Sequence, residues 1–310
     1  MHLHLEVTLW ICLSIISSPS LVLLLKYLRR RLNSQLTVTI SSYHFLATWV
    51  FLEILAFSNK INRVNQIPLK RRCYLAFLVM LSIISMNFNL AYNSIGFYQM
   101  TKLLAIPYMI IWNFFVNHMR YSMKELIALF LLLFGVGLFS VSDVEANIKG
   151  SIVAVIAVLS TAHDQMYTGQ LQKEYFCNGP ELQLAVIPPE LSFALIWSSF
   201  SELPGPSGFY NTSFSLVDIC LILGTCIFAI GVNMSTFGLI GKTSSITYQV
   251  VGHAKTVLLL IFGYIFFPSK WENTFQMIRA LSGIIIALIG VFMYTKVKID
   301  INKRNQAAKV

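Results

Sequence analysis

The sequence predicts an all-α integral membrane protein with ten transmembrane helices in two inverted five-helix repeats. Three observations predict it. Of the 310 residues, 56% are hydrophobic and only 12% are charged, whereas soluble domains carry roughly 25% charged residues. Apolar windows of about 20 residues, the length that crosses a hydrocarbon core, recur ten times between clusters of charge. A shift of the chain by 153 residues overlays parts of its two halves. A substantial soluble catalytic or nucleic-acid-binding domain is excluded, because no polar stretch is long enough to build one.

The first span covers residues 7–25. It lacks a basic leading region and runs into Lys26 and Arg29-Arg30-Arg31 without a small-residue cleavage site, so it reads as a retained helix. The second and third spans cover 36–57 and 74–94, and the fourth, 95–116, follows the third across Tyr92-Asn93-Ser94 as a tight hairpin. The fifth covers 126–143, and the sixth, 149–171, carries His163-Asp164. The seventh, 182–200, contains Pro188-Pro189 directly before Glu190. Two prolines should break that helix, and a broken helix at membrane depth must be covered by protein or line a cavity. The eighth, ninth and tenth cover 218–240, 244–267 and 278–297.

An even number of spans puts both termini on one side. The terminal side receives 14 of the 23 lysines and arginines, the opposite side seven, and the remaining two, Lys102 and Lys255, fall inside spans. That bias places both termini in the cytosol. The sequon Asn211-Thr212-Ser213 then falls on the non-cytosolic side. The shift of 153 residues sets Lys102 on Lys255 and Gly137 on Gly290, and lays FGVGLF (134–139) over ALIGVF (287–292). The division is therefore 1–145 and 146–300, with a short basic tail at 301–310. Repeats of five spans each must insert in opposite orientations, an architecture of secondary transporters. The five cysteines are spaced too irregularly for a disulfide framework or a zinc site.

Lysine at the centre of a membrane helix costs about 2.5–3.5 kcal/mol on insertion scales, so it faces a water-filled cavity or a partner. An internal ion pair with Glu53, Asp164 or Glu190, or snorkelling of the side chain, is the alternative. Helical spacing puts Tyr98 and Gln99 on the face of Lys102, and Tyr248 on the face of Lys255. His253 and Thr256 flank Lys255, and Asn87 and Asn89 add amides from the third span. Two ammonium groups among hydroxyls and amides suit a phosphate-bearing solute, with tyrosines to stack on a base or sugar. No Walker loop, nucleophile elbow, HExxH or cluster of metal ligands is present. No catalytic residue, metal or cofactor is therefore expected.

At these residues the chain resembles a known family. NSIGFYQMTKLLAIP (93–107) and SSITYQVVGHAKT (244–256) resemble the two signature stretches of the nucleotide-sugar and triose-phosphate translocators, within the drug/metabolite transporter superfamily. Lys255-Thr256 resembles the lysine-threonine motif of the branch that carries UDP-linked sugars. The resemblance implies a multi-pass protein of the Golgi or endoplasmic reticulum membrane with cytosolic termini, which exchanges a nucleotide sugar for a nucleoside monophosphate. It matches Lys102 to a phosphate-engaging lysine and Lys255 to the first of two paired basic residues. Thr256 stands where the plastid phosphate exchangers have arginine, which favours nucleotide sugar. The family's glutamine-alanine-proline near the seventh span stands here as Val186-Ile187-Pro188, so one polar cargo contact differs.

The substrate-binding set expected is Lys102, Lys255, Thr256, Tyr98, Gln99, Tyr248, His253 and Asn87. Besides the cargo and the surrounding lipids, a homodimer is left open, because small-residue helix faces are not distinctive. A nucleic-acid partner is not expected. A sugar-phosphate antiporter, a transferase acting on lipid-linked sugars and a non-transporting scaffold are the rival readings.

Overall fold

The computed structural model describes residues 2–32, 36–93, 95–140, 148–202, 212–266 and 274–307, and among them every regular element is an α-helix. Ten follow one another: α1 (His2–Leu32), α2 (Thr37–Phe57), α3 (Leu69–Tyr92), α4 (Ile95–Phe115), α5 (Met123–Ser140), α6 (Ile148–Glu174), α7 (Gly179–Ser201), α8 (Leu216–Lys242), α9 (Ser245–Phe266) and α10 (Thr274–Ala307). Ser94 of the hairpin, Asn211 of the sequon, Lys270 and Lys309 lie outside the described residues, as do the side chains of Gln99 and Thr256.

Five stretches, Leu5–Leu25, Val38–Phe57, Leu69–Asn89, Gly179–Ser201 and Leu216–Lys242, are long and apolar enough to cross a membrane. Large apolar side chains such as Leu23, Phe77, Phe130 and Ile227 stand exposed along the helices, as surfaces solvated by lipid do. This is a helical membrane protein. α1 and α10 outrun their predicted spans, through Lys26 to Leu32 and through Lys298 to Ala307. Lysine and arginine are good helix formers, and no glycine or proline stops either run.

The expected break in the seventh span does not occur. α7 is continuous through Pro188 and Pro189. Membrane helices tolerate proline where neighbouring groups take up the freed backbone atoms, and here the Ser192 hydroxyl donates to the Pro188 carbonyl at 2.9 Å. The helix is also fixed at its start. Asn178 and Glu181 form a reciprocal capping box, the device by which two orphan amide donors are satisfied at once.

The chain forms two compact units, each drawing on both ends of the sequence. Unit 1 comprises Met1–Ile84 and His163–Tyr248; unit 2 comprises Ser85–Ala162 and Gln249–Val310. In unit 1, α1 packs on α8, and α2 packs on both α7 and α8, around a core of Phe45, Leu52, Leu184, Ile187 and Leu191. The Glu202 carboxylate, just past α7, accepts the Val38 and Thr39 amides at 2.8 and 2.7 Å. It thereby caps the start of α2, where four amide donors lack partners in the helix itself.

In unit 2, α5 packs closely on α10, and α4 packs on α5. Two glycines allow the closer approach. A Cβ at Gly135 would land on the backbone of Gly283 and Ala287, and one at Gly290 on the backbone of Ala128 and Leu132. As α5 runs upward through these positions α10 runs downward, so the two helices are antiparallel.

Candidate functional site

Unit 2 collects most of the predicted residues. On α4, the Lys102 ammonium sits over the ring of Tyr98, 4.4 Å from its centroid, as the spacing of four residues requires. An ammonium at this distance from an aromatic face is held by the ring quadrupole. α9 supplies His253 and Lys255, and the charge of Lys102 acts on both. Tyr98 and Lys102 of α4 and His253 and Lys255 of α9 therefore make a basic, aromatic set within electrostatic reach of Lys102.

The cluster has features that invite a ligand. His253 is 6% exposed, and its Nε2 has no hydrogen-bond partner among the described residues. A Cβ built at Gly252, on the same helical face as Lys255, meets nothing within 4 Å. On α3, Asn87 is half-buried in the same unit, and the buried Asn89 accepts from Asn93 at 2.7 Å while its own amide nitrogen has no partner among the described residues. A buried polar atom without a partner costs about 1–3 kcal/mol, which an anionic or hydroxylated solute would recover.

Tyr248 stands apart from this set. It closes unit 1, and its hydroxyl lies 3.1 Å from the Thr236 hydroxyl of α8. Spacing along α9 gave its helical face but could not show which unit would hold it.

Of the acids considered as partners for the lysines, Glu53 binds Arg63 and accepts from Trp49 at 3.1 Å. The other two form a feature that local sequence does not reveal. Asp164 of α6 and Glu190 of α7 lie within electrostatic reach of one another, and Asp164 accepts from the Ser82 hydroxyl of α3. The signal available was one acid within each of two successive spans; that they come within electrostatic reach is a matter of packing. An open cavity of about 500 Å³ in unit 1, against Trp10, Asn178, Gly179 and Lys242, is lined by none of the predicted residues.

Comparison with known proteins follows the same direction. No family model matches the chain. UDP-xylose transporter 1 of Arabidopsis thaliana is 33% identical over 299 residues, which span 96% of this chain and 85% of that protein. UDP-rhamnose/UDP-galactose transporter 2 of the same plant is 31% identical over 83% of this chain and 72% of its own length. Nucleotide-sugar uncharacterized transporter 1, also from Arabidopsis thaliana, is 24% identical over 94% of this chain and 72% of its own length. A solved crystal structure superposes with a TM-score of 0.68 over 92% of this chain and 98% of that one at 9% identity, a likeness of fold alone.

Proposed function

This chain belongs to the nucleotide-sugar transporter family, a transporter rather than an enzyme, and we propose that it carries a UDP-linked sugar across its membrane in exchange for the nucleoside monophosphate. The observation that carries this reading is the cluster of Lys102, Tyr98, Lys255 and His253 in unit 2. Two ammonium groups on separate helices match a diphosphate, which each can approach as a point charge. Tyr98, Asn87 and the backbone beside Gly252 offer a ring, an amide and room for the remainder of the cargo. Gln99, Thr256 and Tyr248 complete the proposed binding set.

Exchange follows from the same charges. Two cations close together in a membrane interior are costly unless an anion neutralises them. The empty carrier is thereby hindered from closing, and a loaded one is not. In proteoliposomes preloaded with UMP, Lys255→Ala abolishes uptake of labelled UDP-sugar, and Lys102→Ala reduces it at least tenfold. Wild-type uptake by the Lys255 variant would overturn the assignment. A sugar-phosphate antiporter is the nearest rival. Counterflow driven by inorganic phosphate but not by UMP would select it.

The architecture we propose is ten spans in two inverted halves, 1–145 and 146–300, with both termini in the cytosol and residence in the Golgi or endoplasmic reticulum membrane. Two things support it. α5 and α10, the last helix of each half, are antiparallel where their glycines meet. The contacts α2 with α7 and α5 with α10 map onto themselves when each helix is exchanged for the one five places away. The contact of α1 with α8 maps likewise onto that of α6 with α3, where Ser85 and Ser160 hydroxyls lie 3.3 Å apart.

A further inference from the structure

Two carboxylates in unit 1, the buried Glu190 and the half-buried Asp164, have no task in the binding of a phosphorylated cargo. Glu190 sits at the middle of α7, eleven residues from either end, or about 16 Å at 1.5 Å per residue. Its side chain is 1% exposed, and its Oε1 has no hydrogen-bond partner among the described residues. It shares electrostatic reach with Asp164 of α6, which accepts from Ser82. The charge of Asp164 also acts on the hydroxyl of Tyr248. Two turns before Glu190 on the same face of α7, Gln183 is 1% exposed, and neither end of its amide has a partner among the described residues.

Among the described residues, the ion pairs of unit 1 do not include these two carboxylates. The basic side chains of unit 1 that form ion pairs do so towards helix ends, Arg31 with Asp218, Arg63 with Glu53, Arg71 with Glu174 and Lys242 with Glu6. On the helices packed against α7, α2 carries Tyr43, His44 and Glu53 and α8 carries Asp218, Cys220, Cys226 and Lys242. Of these, His44 is bonded to Thr225 at 3.0 Å. His163 precedes Asp164 on α6 and Tyr248 comes from α9. Two carboxylates within electrostatic reach of one another, one of them buried at mid-helix, both hold a charge only at a cost, and acids at membrane depth mark ion or proton paths.

We propose that Glu190, with Asp164 within its electrostatic reach, is a proton-binding site that holds one exchangeable proton, and that this proton is taken up and released in step with the movement of cargo. The proton comes from water on the side to which the pair is open and leaves to water on the other, with no other reactant consumed. Tyr248 is the link: its hydroxyl lies within electrostatic reach of Asp164 and belongs to the proposed cargo set. The link to cargo rests on the transport reading; the proton site itself does not.

The two are tested separately. In purified protein without cargo, infrared difference spectra contain a protonated-carboxyl band at neutral pH. Glu190→Gln or Asp164→Asn removes or shifts that band, whereas Glu190→Asp, which keeps a carboxyl group, retains it. Absence of the band from the wild type, or its persistence unshifted in both amide variants, overturns the proposal. In proteoliposomes holding a lumenal pH indicator, counterflow of UDP-sugar against UMP shifts the indicator signal in the wild type and not in Glu190→Gln, whose rate loses its dependence on pH. A rate that depends on sodium and not on pH, or an identical pH profile in wild type and variant, sinks the coupling. A normal band in a protein that moves no UDP-sugar leaves the proton site standing and removes the cargo assignment instead.

Discussion

A lysine four residues after a tyrosine can reach back over the ring or out into the space beyond it, and the two uses differ in what the ring contributes. The Lys102 ammonium lies 4.4 Å from the centroid of the Tyr98 ring, a contact worth about 0.5–2 kcal/mol according to how far the pair is desolvated. The ring holds the ammonium in place before cargo arrives, which lowers the ordering cost of binding. Tyr98→Phe keeps the ring face, so competition by UMP should weaken no more than about twofold. Tyr98→Leu discards it and should weaken competition by about 2- to 30-fold, the same energy expressed as affinity. Equal effects of the two variants would show that the hydroxyl, and not the ring, is what the site uses. Spacing alone made this pair legible in the sequence. Tyr248 was legible as a residue but not as a position, because the division of α9 between two units depends on long-range packing. The electrostatic reach between Asp164 and Glu190 was hidden for the same reason.

At the scale of the helix, three small features decide fit. Gly135 and Gly290 let α5 and α10 approach until a Cβ at either would strike backbone atoms, and backbone, unlike a flexible side chain, cannot step aside cheaply. Gly290→Ala should therefore lower the thermal midpoint in detergent, by an amount corresponding to about 1–3 kcal/mol of overpacking. Gly252→Ala is the control, since it meets open space and gains about 0.5–1 kcal/mol of helix propensity. Phe176, just past α6, has φ of 50°, and its neighbour Cys177 donates to the Gln172 carbonyl at 3.1 Å, the pattern that glycine serves best. Phe176→Gly should raise the midpoint by relieving about 1 kcal/mol of left-handed strain.

Glu125 opens α5, just outside its span, bonded to Ser122 at 2.8 Å and paired with Lys298 of α10 at 2.6 Å. Burial pushes its carboxyl up, but Lys298 and Ser122 outweigh burial and hold it below the usual carboxylate range. A carboxyl lowered by folding stabilises above its unfolded pKa and ceases to do so as pH falls through the folded one. Melting curves of wild type and Glu125→Gln should accordingly differ at neutral pH and converge in acid. The ten helices themselves were legible from apolar windows and charge. The continuity of α7 was not, because proline's cost in water does not carry over to a helix whose neighbours supply the missing bonds.

For the whole molecule, the decisive quantity is where the positive charge lies. A formal charge of +10 in a chain with so few charged residues would mean little were it spread evenly, yet 14 basic residues fall on one side of ten predicted spans and seven on the other. The cluster Arg29-Arg30-Arg31 opposes that bias, and the structure gives Arg31 another duty: it binds Asp218 at 2.5 Å and so ties the end of α1 to the start of α8. In sealed microsomes, epitope tags at the two ends should both be digested by added protease, and a tag inserted at residue 207 should be protected until detergent is added. One protected and one digested terminus would mean an odd number of spans, and the inverted five-plus-five arrangement would fail with it. Arg31→Ala should lower thermal stability without altering the protection pattern, since one positive charge is lost from the side with fewer and the remaining bias is unchanged in sign.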